Sequence, residues 1–197
     1  PNTHTCPIFR SLRDAEITKH IYLRIPIFIK EASRENPWGV TFSQGLFNTT
    51  TDSKLFISIE KLKDTARPIR GNQFHTDKDV FFPLYEGKMV QSFDHRYANS
   101  EAPEKGAKIR GKSKMLSNEV KSNPSQFVFS RNYVRDADIK SSITQAWHHN
   151  WFIGWRAVGG AVANVRTLVS TVVPYGGVAD KIFLMYPSLD ATLATML

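Results

Sequence analysis

The sequence predicts an α+β domain with a mixed or antiparallel sheet, a few helices and a basic loop insertion. Three observations lead there. Strand-like runs are scattered among short helical patterns, without the regular alternation of a βαβ array. No internal repeat is visible. The chain has 197 residues, 41% of them hydrophobic, which is enough for one domain with a sizeable core.

The elements follow in chain order. Cys6 to Phe9 is a short apolar run that reads as a strand. Ser11, Leu12, Arg13 and Asp14 read as a capping box that opens a helix. Ile17, Ile21 and Tyr22 would face the core at helical spacing, and Pro26 ends the pattern. Asn36, Pro37, Trp38 and Gly39 form a turn signal. Val40 to Phe47 is strand-like until Asn48, Thr49, Thr50 and Thr51 break it. Asp52 or Ser53 caps a second short helix through Leu55, Ile59 and Leu62. Arg67 to Asp79 is polar and reads as loop. Val80 to Val90 is apolar and β-prone, interrupted by Pro83.

From Asn99 to Pro124 the composition changes. Apolar periodicity fades, and between Lys105 and Lys121 six basic residues meet one acid, Glu119, so residues 99–124 read as a basic surface loop or insertion. Gln126 to Val134 then reads as a strand. Asp136 to Trp147 reads as a helix with Ile139, Ile143 and Ala146 on one side. Trp151 to Val158 and Arg166 to Val173 read as strands separated by the small residues Gly159, Gly160 and Ala161. Pro174 to Gly177 is a turn, Ile182 to Tyr186 a last strand, and Ser188 would cap a helix from Leu189 to Leu197. The first residue, Pro1, and the abrupt end of that helical pattern read as the limits of an excised piece of a larger chain.

Composition narrows the function. The formal net charge is +8 and the pI about 9.7, a balance that favours polyanionic partners through steering and counterion release. The lone Cys6 allows no internal disulfide and fits a reducing, cytoplasmic setting. It also rules out a cysteine zinc cluster, and the scattered histidines make no metal site; His148 and His149 are adjacent and point apart. No apolar run is long enough for a transmembrane helix, and the N-terminus lacks a secretory pattern, so no membrane is expected.

Amino-methyltransfer needs a glycine-rich turn after a strand for S-adenosylmethionine and an Asn/Asp-Pro-Pro-Tyr/Phe motif for the target amine. Asn36-Pro37 and Asn123-Pro124 each begin such a motif and lack the rest. There is no phosphate-binding Walker sequence and no Gly-x-Ser-x-Gly elbow. No catalytic or cofactor-binding residue is therefore assigned. One acid-x-Lys arrangement, Glu86-Gly87-Lys88 downstream of Asp77 and Asp79, has the residue types of a metal-dependent nuclease. The same residues also suit a charged strand end.

Three clusters join positive charge to side chains that can read bases. The first runs from Lys88 through Gln91, Asp94, His95 and Arg96; it reads equally as a structural turn in which Asp94 holds Arg96. Arginine can pair bidentately with guanine and glutamine with adenine. The second is the basic segment with Lys105, Lys108, Arg110, Lys112 and Lys114, suited to phosphates. The third comprises Arg156, Asn164, Arg166 and Thr167, where small residues let a partner approach the backbone. The tryptophans Trp38, Trp147, Trp151 and Trp155 read as core.

These residues carry a resemblance. Asn2 to Ser11 followed by Arg13 to Thr18 resembles a segment of large bacterial class I adenine-specific DNA methyltransferases of the Eco57I-like, type IIG-like restriction-modification group. Asn36 to Val40 with Asp52 to Phe56 is similar to the next block. Pro83 to Val90 with Phe93 to Ala98 is similar to the most distinctive one. Gly154, Trp155, Arg156 and the Asn164, Arg166, Thr167 group resemble the later strands. The match runs in order along nearly the whole chain and is weakest in the basic segment.

The resemblance implies a target-recognition region that follows the catalytic domain. It implies double-stranded DNA and the methyltransferase domain of the same parent chain as partners. It implies S-adenosylmethionine as cofactor of the parent, with none in this segment. Lys105, Lys108, Arg110, Lys112 and Lys114 are then expected to attract phosphates. Lys88, His95, Arg96, Arg156, Asn164 and Arg166 are expected to position the DNA or read bases. The rivals are a nuclease using Glu86 and Lys88, and a basic structural domain that docks proteins.

Overall fold

The computed structural model describes residues 8–27, 29–69, 71–100, 113–159 and 168–188. The chain divides into two compact units, one of Pro1–Thr41 with Tyr186–Leu197 and one of Phe42–Met185. Among the described residues four α-helices accompany twelve strands, and the pairings are mostly antiparallel, so the fold is α+β as expected.

The first unit is built on α1 (Leu12–Arg24). The Ser11 hydroxyl accepts the Asp14 backbone N–H at 3.2 Å, which satisfies one of the donors that a helix start leaves open. The helix stops at Ile25, directly before Pro26. Its apolar stripe is not core: Ile17, Ile21 and Tyr22 are 49%, 50% and 68% exposed. Helical spacing says which residues share a face; it does not say whether anything covers that face. Ile8 and Phe9, expected in a strand, are in none, and Cys6 and Pro7 lie outside the described residues. The Asn36–Gly39 turn forms as expected. The Asn36 side chain donates to the Val40 carbonyl at 2.8 Å and accepts its N–H at 2.9 Å, and Gly39 takes φ +54°.

Most of the second unit is organised by β2 (Ile57–Ser58), β3 (Arg67–Pro68), β4 (Phe74–His75), β5 (Val80–Tyr85) and β8 (Asn132–Arg135). Their order is β2-β8-β5-β4-β3, antiparallel throughout, and β11 (Gly177–Val178) adds to β5 in parallel. Two core clusters flank this sheet. Phe47, Leu84, Val134, Ile139 and Ala179 form one, and Leu62, Phe74, Phe81 and Tyr133 the other. Alternation along β5 and β8 sends successive side chains to opposite faces.

A second sheet has the order β1-β12-β9-β10, from β1 (Val40–Ser43), β9 (Trp151–Arg156), β10 (Ser170–Pro174) and β12 (Ile182–Pro187). The expected strand from Val40 to Phe47 ends early, at Ser43. Gly45 takes φ +67°, and a Cβ there would lie 2.6 Å from the Ala179 carbonyl oxygen. That close approach lets the N–H groups of Leu46 and Phe47 both reach the Val178 carbonyl, at 2.8 and 3.0 Å.

Other boundaries also differ from expectation. The second helix does not start at Asp52 or Ser53. Ser53–Leu55 is a single 3-10 turn, β2 follows, and Ser58 caps α2 (Ile59–Thr65). Arg67 to Asp79 is not all loop but contains β3 and β4, two-residue strands too short to show a period. The strand expected from Gln126 begins at Asn132, and the strand expected from Arg166 begins at Ser170. Helix α4 (Asp136–Ser142) stops well before Trp147, and Ala146 is exposed. The chain turns there so that the Trp147 indole can donate to the Trp151 carbonyl at 2.7 Å. The expected helix from Leu189 lies outside the described residues.

Candidate nucleic-acid interface

The region expected to be a basic loop is framed by regular structure. β6 (Ala98–Ser100) and β7 (Ser113–Met115) pair as an antiparallel hairpin, with Asn99 opposite Lys114. Ser117 caps α3 (Asn118–Ser122) directly after it. β6 is buried at Ala98 and Ser100, whereas β7 is exposed along its length. Lys114 is therefore presented at the surface. Lys105, Lys108, Arg110 and Lys112, in the connection between the two strands, lie outside the described residues.

The root of this hairpin is tied down at several points. Ser100 donates its N–H to the Phe129 carbonyl at 3.0 Å, and the Asn99 side chain accepts the Phe129 N–H at 2.9 Å. Tyr97 donates its N–H to Met89 at 3.1 Å and accepts that of Leu116 at 3.0 Å. The Ser100 hydroxyl donates to Glu86 Oε1 at 2.6 Å.

Glu86 is the centre of a cation network. Arg131 donates to its two oxygens at 2.8 and 3.1 Å, and the Lys88 ammonium sits 3.5 Å from Oε2. The carboxylate side chain is only 13% exposed. Its lone pairs face Arg131, Ser100 and Lys88, an arrangement suited to holding β5, β6 and β8 in register. Among the described residues no three His, Cys, Asp or Glu side chains converge to hold a metal ion. Lys88 is thus placed beside a carboxylate at the end of β5, in a 3-10 turn.

His95 and Arg96 follow a tight turn, Gln91 to Asp94, whose ends exchange backbone hydrogen bonds at 2.8 and 2.9 Å. The sequence suggests that Asp94 holds the Arg96 guanidinium; instead it accepts the Arg96 backbone N–H at 2.8 Å and the Lys121 ammonium at 2.6 Å. The guanidinium reaches across to donate to the carbonyls of Lys121, Asn123 and Gln126, at 2.8, 3.0 and 3.0 Å. A cation on the open carbonyls at a helix end is favourable both as a hydrogen-bond donor and against the dipole. Lys121 also lies 5.3 Å from the centroid of the Tyr97 ring. Arg96 is therefore a clasp between the turn and the end of α3. His95 is half-buried; burial, with the Arg96 charge, lowers its pKa below the ordinary imidazole value, and Asp94 opposes the shift.

Arg156 ends β9, half-buried, with its backbone N–H donated to Val169 at 2.9 Å. Asn164, Arg166 and Thr167 lie outside the described residues. Two features were not legible as sites. Lys121 and Arg131 read as ordinary charges, because their partners lie 27 and 45 residues away. An open cleft of about 610 Å³ is lined by Phe82, Asp136, Lys140, Trp147, His149 and Tyr175, among others. On its wall the Tyr175 hydroxyl donates to Asp136 at 2.6 Å, and Lys140 pairs with the same carboxylate at 2.6 Å. Burial, then the Asp136 contact, push the Tyr175 phenol well above its ordinary range. Trp147 and Trp151 pack edge-to-face, and the exposed His149 ring lies against both.

Among the described residues no helix is long and apolar enough to cross a membrane. No protein-family model, no curated protein and no solved structure matches the chain.

Proposed function

We propose that this chain is a DNA-binding target-recognition module of an adenine-specific (N6) DNA methyltransferase or restriction-modification enzyme. The single observation that carries the reading is the anchored hairpin: β6 and β7 are fixed at their root, and the residues joining them carry Lys105, Lys108, Arg110 and Lys112 against Glu101 and Glu104. A connection of that composition on an anchored root suits phosphate contacts, which fix register and supply affinity without reading sequence. Lys114 belongs to the same layer. Lys88, His95, Arg156, Asn164 and Arg166 are assigned to positioning or base readout, and Arg96 holds the turn that carries His95. The ordered resemblance to restriction-modification methyltransferases and the net charge of +8 support the reading.

In the parent enzyme this module would grip double-stranded DNA in the cytoplasm while the methyltransferase domain receives an extruded adenine. That domain would use S-adenosylmethionine; no cofactor is assigned to this segment. The nuclease reading is disfavoured by the way Arg131 and Ser100 occupy the Glu86 oxygens.

The test is a salt titration of binding to a short duplex, between about 50 and 200 mM salt. Affinity is expected to fall steeply with salt. Replacing Lys105, Lys108, Arg110 and Lys112 with glutamine is expected to flatten the logarithmic slope by about 3 to 4. An affinity indifferent to salt, or a slope that the four substitutions leave unchanged, would overturn the assignment.

A further inference from the structure

We infer that the cleft beside Tyr175 holds one unstacked nucleobase of the bound DNA. The inference rests on the DNA-binding reading for the source of the base. It adds a site that the charged clusters do not supply. The cleft measures about 610 Å³, within the range of small-molecule sites. Such sites join aromatic walls to a few convergent polar groups, and this one has both.

The aromatic wall is fixed by the fold. The Tyr175 hydroxyl donates to one oxygen of Asp136 at 2.6 Å, and the Lys140 ammonium holds the other oxygen at 2.6 Å. The Tyr175 N–H donates to the Asn150 carbonyl at 3.0 Å. Phe82 meets the Tyr175 ring edge-on, with centroids 5.0 Å apart. Both rings are only half-buried, so each keeps surface for a ligand. A wall already in place lowers the entropy lost when a ligand meets it.

The polar groups are ones that the fold leaves unused. Among the described residues, the side chains of Gln73, Thr144, Gln145 and Asn150 line the cleft without a hydrogen-bond partner. Three of them are amides, each with an acceptor oxygen beside an N–H donor in one plane. That pairing matches the donor and acceptor on the edge of a base, as when glutamine or asparagine pairs bidentately with adenine.

Charge selects against other ligands. The two formal charges of the lining, Asp136 and Lys140, neutralise each other, which leaves no excess for a phosphate, a carboxylate or a cation. A neutral planar group with donors and acceptors along its edge fits instead, and in DNA that group is a base. The cleft is open, so sugar and phosphates can stay outside while the base enters. A base reaches such a site only after leaving the stack. It is a base other than the adenine that the methyltransferase domain would receive.

The experiment uses the full chain with two duplexes, one fully paired and one carrying a single bulged base that is already unpaired. The wild type is expected to bind the bulged duplex roughly five- to a hundred-fold more tightly. The double variant Gln145→Ala, Asn150→Ala should lose most of that preference. Both residues are exposed, so its melting temperature, its affinity for the paired duplex and its salt slope should match the wild type. Equal wild-type affinity for the two duplexes would overturn the inference, while salt-dependent binding still supports the DNA-binding module. A variant that keeps the preference, or that melts markedly earlier, would overturn it as well. If the wild type binds neither duplex with salt dependence, the DNA-binding reading fails, and free nucleosides then decide the cleft alone. Quenching of tryptophan emission by a nucleoside, lost in the double variant, would keep the cleft as a base site. Quenching by an oligosaccharide instead would make it a sugar site and overturn the inference.

Discussion

Two sets of cations lie within one stretch of chain and differ in what they face. Arg96 and Arg131 point inward, one onto three carbonyls at the end of α3, the other onto both oxygens of Glu86. Lys114 points outward from an exposed strand, and Lys105, Lys108, Arg110 and Lys112 share its connection. Charge alone does not separate the groups. Partners do: the first set closes distant segments onto one another, whereas Lys114 stands on an exposed strand, open to an external anion. A basic patch in a sequence can therefore be half architecture and half interface.

Removing an inward cation should cost the fold most. Arg131→Ala leaves Glu86, 13% exposed, with Ser100 and Lys88 as its partners among the described residues. A loss of about 2–4 kcal/mol in unfolding free energy is expected, because a carboxylate in such a place was paired to offset its desolvation. Urea denaturation reads this directly. An Arg131→Ala variant as stable as the wild type would mean that Glu86 finds water instead. The double variant Glu86→Gln, Arg131→Gln should lose less than Arg131→Ala, since no bare charge remains.

Arg96→Ala comes next, with an expected loss of about 1.5–3 kcal/mol as three carbonyls lose a charged donor. Arg96→Lys should recover only part of it, since one ammonium lacks the planar fork that spans three acceptors. Full recovery by lysine would show that charge at the helix end, not the fork, is what matters. The outward set should behave oppositely. If Lys105, Lys108, Arg110 and Lys112 serve the DNA and not the fold, replacing them with glutamine is expected to change stability by less than about 0.5 kcal/mol. A large loss in the same denaturation experiment would move the arm to the structural side of the comparison.

The contrast also explains what sequence could and could not tell. The α+β class and the main strands were readable, because β5, β9 and β12 carry strong apolar runs, and Ser11 marks the start of α1. Boundaries failed where a distant contact decides them. β1 ends at Ser43, just before Gly45, where Ala179 comes close, and α4 ends early while Trp147 turns toward Trp151. The exposed stripe of α1 failed for a related reason: Ile17 and Ile21 have the right spacing, but spacing carries no information about coverage. In the candidate site the residue types were legible and their duties were not. Arg96 looked like a guanine reader, yet its partners are carbonyls 25 to 30 residues downstream.

His95 offers the finest test of the comparison, because it sits beside the inward set and its burial disfavours its charged form. Burial lowers its pKa from the ordinary 6.5, the Arg96 charge lowers it further, and Asp94 works against both. The folded state therefore resists the proton more than the unfolded chain does. Below pH 6.5 the unfolded chain takes it up first, so stability present above that pH is lost as the pH falls toward the lowered value. His95→Gln removes this contribution. Unfolding free energies measured from about pH 7.5 downward should fall less steeply through that window for the glutamine variant than for the wild type. The difference should be small beside the loss from Arg131→Ala. If the two slopes coincide, His95 binds its proton equally well in both states and belongs with the solvent-facing cations; a steeper wild-type slope places it with Arg96, on the side of the charges that hold the turn in place.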